Sequence, residues 1–128
     1  MVIRAYTIAL VTFLALDSLW LGWIASGFYR EQIGFMLRDE VYLPAAAVFY
    51  LTFVAALTHF AILPAIRTKN VKSSWLNGAF FGFATYAAYD LTNLAVTKDW
   101  PLAVTIVDLA WGTSLGAVVS GITTRIAR

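Results

Sequence analysis

Cysteine is absent from this chain of 128 residues, and histidine occurs only once. The missing thiols exclude disulfides, thiolate metal sites and cysteine catalysis. One histidine, His59, cannot provide both axial ligands of a haem, and it leaves a zinc site short of ligands. We therefore predict no cofactor and no metal, and we interpret His59 as an ordinary interfacial side chain near the cytoplasmic end of the second span. The alternatives for His59 are a proton relay or a single axial ligand.

Charge is also scarce, since charged residues make up 12% of the chain and hydrophobic residues 61%. Soluble domains carry about 25% charged residues, so water is not the main solvent of this chain. The net charge of +2 is too small to indicate a nucleic-acid partner. We predict one domain, residues 1–128, whose partner is the lipid bilayer.

Four apolar segments are long enough to cross a bilayer, which takes about 20 residues of helix. Pro44 and Pro101 lie in first turns, where a helix tolerates proline. The first segment is too long for a secretory signal and contains an acid. The sequence therefore predicts an all-α integral membrane four-helix bundle, with spans at about residues 5–25, 42–66, 75–96 and 101–122.

The loops indicate the orientation of these spans. One side carries basic residues and no acid, namely Arg4, Arg67, Lys69, Lys72, Arg125 and Arg128. The other side carries basic and acidic residues together. Because cytoplasmic loops are enriched in lysine and arginine, both termini are predicted to be cytoplasmic.

The linker between the first two spans, residues 27–41, has apolar side chains at helical spacing with charges between them. This pattern predicts a short amphipathic helix on the outer membrane surface. Several aromatic residues fall at predicted interfaces and are interpreted as membrane anchors: Tyr29, Tyr42, Trp75 and Trp100.

Three aspartates, Asp17, Asp90 and Asp108, lie inside predicted spans at similar depth in the outer half of the bilayer. Each costs roughly 2.5–3.5 kcal/mol near the centre of an isolated helix, so they are expected to face one another or water. Acids this close in a low dielectric cannot all ionise, and at least one is expected to keep its proton. Such a group can exchange protons, bind a cation or act as an acid–base pair. The alternative is that these carboxyls are structural ties between helices.

Small residues spaced four apart predict that the third and fourth spans pack against each other and bring Asp90 close to Asp108. One stripe ends in Asp90 and the other begins with Asp108: Gly78, Gly82, Tyr86 and Asp90, then Asp108, Gly112, Gly116 and Ser120. Small side chains at this spacing let helix backbones approach closely in lipid. Further candidate partners of the acids are the polar and aromatic residues Trp20, Tyr50, Tyr86, Tyr89, Asn93 and Trp111.

Several motifs in the chain resemble a bacterial family known as domain of unknown function 2177. They are ALDSLWLG at residues 15–22, FY at 28–29, YDLTNL at 89–94, WPL at 100–102 and VDLAWG at 107–112. The resemblance covers essentially the whole chain and includes the same three aspartates. It implies a small multi-pass protein of the bacterial inner membrane, and it implies no activity.

Three functions remain open from the residues alone, and whether the protein is an enzyme is one of the open questions. The first is a transporter or channel for a proton, cation or small solute, working as a homo-oligomer, with a dimer favoured. The second is a membrane-embedded enzyme or binding protein for a lipid or other apolar small molecule. The third is an accessory subunit in which the aspartates only hold helices together.

Overall fold

The computed structural model describes residues 1–128 and is all-helical, with 88% of the chain in helices and no strand. Its α-helices are α1 Val2–Leu19, α2 Ser26–Ile33, α3 Leu43–Leu57, α4 Leu63–Thr68, α5 Val71–Val96 and α6 Leu102–Ala127. Two π-helical turns, Trp20–Ile24 and Thr58–Ile62, extend α1 and join α3 to α4. A 3₁₀ turn, Gly34–Met36, follows α2.

The amphipathic helix expected over residues 27–41 is shorter in the structure. The α-helical part ends at Ile33, the 3₁₀ turn ends at Met36, and Leu37 is extended. Gly34 is a weak helix former, and the chain after it carries the charges of residues 38–40, which favours an early end. Tyr29 nevertheless lies in the helical part of this segment.

The second long helix is continuous from α3 through α4 but is not regular throughout. Its π-helical turn directly precedes Pro64, which lies in the first turn of α4. A proline lacks the amide proton and its ring clashes with the carbonyl four residues earlier, here that of Phe60. The wider turn accommodates this residue without breaking the helix.

Helices α5 and α6 form a hairpin of two helices with 26 residues each. Asn70 caps α5, since its side chain accepts a hydrogen bond of 3.3 Å from the Ser73 amide. Asp99 has a left-handed backbone conformation in the short connection, and Pro101 caps α6 one residue before the helix begins. We call this end of the molecule, which also holds α2, the α2 end, and the opposite end the terminal end.

Three helices are long and apolar enough to cross a membrane: Val2–Ile24, Leu43–Thr68 and Leu102–Ala127. They agree with the first, second and fourth of the predicted spans. Helix α5, the third, has the same length as α6, but its glycines, tyrosines and polar residues lower its mean hydropathy. Large hydrophobic side chains such as Val11, Leu51, Phe80 and Ile106 are exposed around the bundle.

The apolar core lies toward the terminal end, where α1, α3 and α6 meet. Its largest members are fully buried and include Phe13, Leu57, Ile62 and Leu115. A smaller cluster of Ile33, Trp100 and Val104 closes the α2 end. The candidate site lies between these two clusters.

Candidate functional site

Helices α5 and α6 pack backbone against backbone along the two small-residue stripes. A Cβ added at Gly82 would overlap the carbonyl oxygen of Gly112, and one added at Gly116 would overlap that of Gly78. A Cβ at Gly78 would also meet Ser120. The sequence-derived stripes therefore lie against each other in the structure, and only glycine allows this approach.

This close packing holds Asp90 and Asp108 beside each other at the α2 end of the hairpin. The Asp90 side chain is 0% exposed, and neither of its carboxyl oxygens has a hydrogen-bond partner. Asp108 is also buried. A buried carboxyl without a donor is costly, and Asp90 is the one buried carboxyl of the fold with both oxygens unpartnered.

Tyr29 closes the pair from the surface helix α2. Its hydroxyl donates a hydrogen bond to Asp108 Oδ1 and accepts one of 3.2 Å from Trp20 Nε1. Burial, followed by the hydrogen bond to Asp108, raises the pKa of Tyr29 above its ordinary value of 10.0. The hydroxyl therefore remains a donor throughout the neutral pH range.

Asp17 of α1 lies beside Trp111, which is one turn farther along α6 than Asp108. It therefore does not join the other two acids directly. Trp111 Nε1 donates a hydrogen bond of 3.3 Å to Asp17 Oδ1. The Trp111 ring stacks on Trp20, with centroids 4.4 Å apart and planes within 7°. The structure thus brings two of the three aspartates together and connects the third through stacked indoles, because α1 meets α6 at Trp111.

Two of the tyrosines predicted as partners of the acids, Tyr50 and Tyr86, lie between Asp17 and the Asp90–Asp108 pair. Tyr50 is beside the Asp17 carboxyl. The Tyr86 ring packs directly on Gly112, where a Cβ would overlap it, and its hydroxyl is near both Asp17 and Asp108. Tyr86 therefore spans the distance from the single aspartate to the pair.

Tyr89 and Asn93 make no hydrogen bond to an aspartate. Tyr89 is 56% exposed and packs edge-on against Trp100, with ring centroids 5.6 Å apart. Asn93 Oδ1 accepts a hydrogen bond of 3.2 Å from Thr97 and makes none to an aspartate. Its position on α5, nearly a turn past Asp90, directs it to the end of that helix.

A cavity of about 360 Å³ adjoins the aspartate pair. Its lining comes from three helices and consists of Phe49, Thr85, Tyr86, Tyr89 and Asp108. The Phe53 ring of α3 packs against Phe81 and Tyr86 of α5, with ring centroids 5.7 and 6.3 Å apart. An apolar space with an acid at its inner wall is typical of a small-molecule site.

The sequence comparison decides the family. A family model described as a predicted membrane protein, DUF2177, matches residues 2–125. The chain belongs to the DUF2177 family. No curated protein and no solved structure matches it.

Other side chains of this DUF2177 protein complete the site, although the sequence reading gave them no such role. Tyr29 and Trp100 were interpreted as membrane anchors. Trp100 is buried instead and donates a hydrogen bond of 3.0 Å to Thr105, whose hydroxyl lies 3.5 Å from the Asp90 carbonyl oxygen. The one signal for Tyr29 was the adjacent Phe28–Tyr29 element among the family motifs.

His59 stays outside the DUF2177 site. Its exposed ring packs edge-on against Phe60 at the other end of the molecule, with centroids 4.7 Å apart. No three histidine or acidic side chains of the chain come together in a group that could hold a metal ion. The arrangement offers carboxyl oxygens, a few fixed hydroxyl and indole donors, and an apolar space beside them.

Proposed function

We propose that this membrane protein binds an amphiphilic small molecule that enters the cavity from the bilayer. The observation that carries the proposal is the cavity itself, which has aromatic walls and Asp108 at its inner side. The apolar part of the ligand lies along Phe49 and Tyr86, and its polar part contacts Asp108. This is the second of the three functions left open by the residues.

The exposure of the cavity walls supports entry from lipid. Phe49 is 40% exposed and Tyr89 56% exposed, so the space reaches the perimeter of the bundle. That perimeter is covered with large hydrophobic side chains, as a surface facing acyl chains requires. A molecule already dissolved in the membrane therefore reaches Asp108 without crossing water.

The proposal also states how the four spans are oriented in the bacterial inner membrane. Helix α5 crosses the bilayer as the third of four spans, because it is antiparallel to α6, has equal length and contacts it through glycine backbones. The basic loops lie in the cytoplasm, as do both termini. The cavity and the aspartate pair then lie in the outer half of the membrane.

A cavity-filling variant tests the binding function. Thr85 lines the cavity, and in Thr85→Phe the added ring occupies the space. The purified protein in dodecyl maltoside is titrated with 1-dodecanol and with dodecylamine, and bound molecules are counted by native mass spectrometry. We expect saturable binding of one molecule of at least one probe to the wild type, reduced at least tenfold in Thr85→Phe, about 1.4 kcal/mol.

Thr7→Phe is the matched control. Both threonines donate to the carbonyl four residues earlier, at 2.9 Å for Thr85 and 2.8 Å for Thr7, and Thr7 is exposed at the terminal end. Thr7→Phe should bind like the wild type. Equal binding by Thr85→Phe and wild type, or no saturable binding by the wild type, would refute the cavity as the binding site.

Proton or cation transport is the second candidate, favoured by the unpartnered Asp90 beside Asp108. A buried carboxyl pair of this kind can take up and release one proton or cation. In this version the protein would work as a homodimer, because four helices form only a narrow bundle. Liposome flux that is unchanged in Asp90→Asn and Asp108→Asn would exclude it.

A further inference from the structure

The aspartate pair has no basic side chain to neutralise it. None of the aspartates forms a salt bridge, and Arg30, the basic residue adjacent to Tyr29, is exposed. The remaining lysines and arginines lie near the helix ends or in the connections. Even when the pair shares one proton, one negative charge remains beside the cavity.

The Asp90–Asp108 pair also has too few hydrogen-bond donors around it. Tyr29 supplies one donor, to Asp108 Oδ1, and both oxygens of Asp90 have none. Carboxylate oxygens only accept, and only the Asp108 carboxyl is within reach of a ligand in the cavity, because the Asp90 side chain is fully buried. A protonated amine donates to this carboxyl and also compensates its negative charge, whereas a hydroxyl only donates.

The cavity walls favour a positive head and disfavour a negative one. Phe49, Tyr86 and Tyr89 present aromatic rings around the space in front of Asp108. A cation is attracted by the faces of such rings as well as by the carboxylate. A phosphate head would instead face like charge in a medium of low dielectric constant, where repulsion is strong.

On the basis of the proposed function, we infer that the ligand is a cationic amphiphile whose protonated amine contacts Asp108 beside the unpartnered, buried Asp90. Asp108 is the contact residue because it lines the cavity. Asp90 lies behind it with no exposed surface and acts as a positioning residue, since as the buried member it holds the shared proton and leaves the negative charge on Asp108. The apolar body extends between Phe49 and Tyr86 toward lipid.

Three probes with the same apolar chain test the class of head. The full-length protein in dodecyl maltoside at neutral pH is titrated with dodecylamine, 1-dodecanol and dodecyl phosphate, and the bound molecules are counted by native mass spectrometry. We expect dodecylamine to bind at least about tenfold more tightly than dodecanol. Dodecyl phosphate should show no saturable binding.

Variants locate this preference in Asp108. Asp108→Asn should weaken dodecylamine binding to the level of dodecanol and leave dodecanol binding unchanged. Asp90→Asn should keep the amine preference, because an uncharged amide in the place of the protonated Asp90 leaves the negative charge on Asp108. Asp39→Asn, which neutralises an exposed acid in the connection before α3, is the control and should keep the full preference.

The outcomes separate the inference from the proposed function. Dodecanol binding as tight as dodecylamine binding in the wild type overturns the inference and leaves the binding function standing. A preference that persists in Asp108→Asn overturns it as well. Absence of saturable binding by every probe removes the proposed function, and the inference with it. The wild-type comparison decides even if a variant does not fold.

Discussion

The Tyr29 hydroxyl connects the surface helix to the buried acids at the scale of single residues. It is bonded on one side to Trp20 and on the other to Asp108. Trp20 in turn stacks on Trp111, which donates to Asp17. One oxygen atom thus joins α2 to a network that reaches α1 and α6.

Replacing Tyr29 with phenylalanine removes this connection and leaves an indole N–H and a carboxyl oxygen without a partner. We expect Tyr29→Phe to lower the free energy of unfolding by about 1–3 kcal/mol, since unmatched polar groups are costly when buried. Tyr42→Phe is the control, because Tyr42 is exposed and donates no hydrogen bond. The free energy of unfolding of both variants is measured in mixed micelles with increasing dodecyl sulfate. Equal unfolding midpoints for the two variants would contradict the hydrogen-bond network.

The residue scale also shows what sequence reasoning can reach. Buried acids are costly in any membrane helix, so Asp90 and Asp108 could be selected without coordinates. Tyr29 could not, because an aromatic ring at a membrane interface has the same sequence signature whether it faces headgroups or folds back. The sequence predicts Asn93 as a polar partner of the acids, one turn beyond Asp90, whereas its bond to Thr97 depends on how the helix ends.

At the scale of elements, α5 and α6 are fixed to each other by the absence of side chains between them. The spacing of the glycines predicted this contact, because small residues four apart make a continuous stripe on a helix. The two π-helical turns carry no comparable pattern in the sequence. They depend on local geometry, as at Pro64, and were not predicted.

A methyl group at the α5–α6 contact is expected to separate the helices. Gly82→Ala would place a carbon against the Gly112 backbone, which cannot rotate away, so we expect a loss of at least about 1–3 kcal/mol in unfolding free energy. Gly22→Ala is the control, because a Cβ there has no atom within 4 Å. Dodecyl sulfate titration followed by circular dichroism gives both values. A wild-type midpoint for Gly82→Ala would show that the backbones are farther apart.

The absence of cysteine allows the membrane topology of the whole molecule to be mapped by thiol labelling, since any introduced thiol is the only one present. Lys72 in the first turn of α5 and Lys98 in the connection after α5 lie at opposite ends of this helix. With α5 crossing the membrane and both termini in the cytoplasm, these positions are on opposite sides of the bilayer. Helix α5 is not among the three helices that are long and apolar enough to cross a membrane, so its crossing is the proposal to test.

Thiol labelling in intact bacterial spheroplasts tests it directly. We expect Lys98→Cys to react with a membrane-impermeant maleimide from outside and Lys72→Cys to react only after permeabilisation. Equal labelling of both from outside would mean that α5 does not cross, and the reverse pattern would invert the molecule. The cysteine-free parent protein is the blank.

The glycine contact between α5 and α6 has a mechanical consequence. Because no side chain separates the two backbones, we expect the spacing of Asp90 and Asp108 to change little during thermal motion. Phe49, on another wall of the cavity, belongs to a helix interrupted by a π-helical turn and Pro64. For the proposed ligand, we therefore expect differences in size to be accommodated by bending of the α3 side rather than by movement of the two carboxyls.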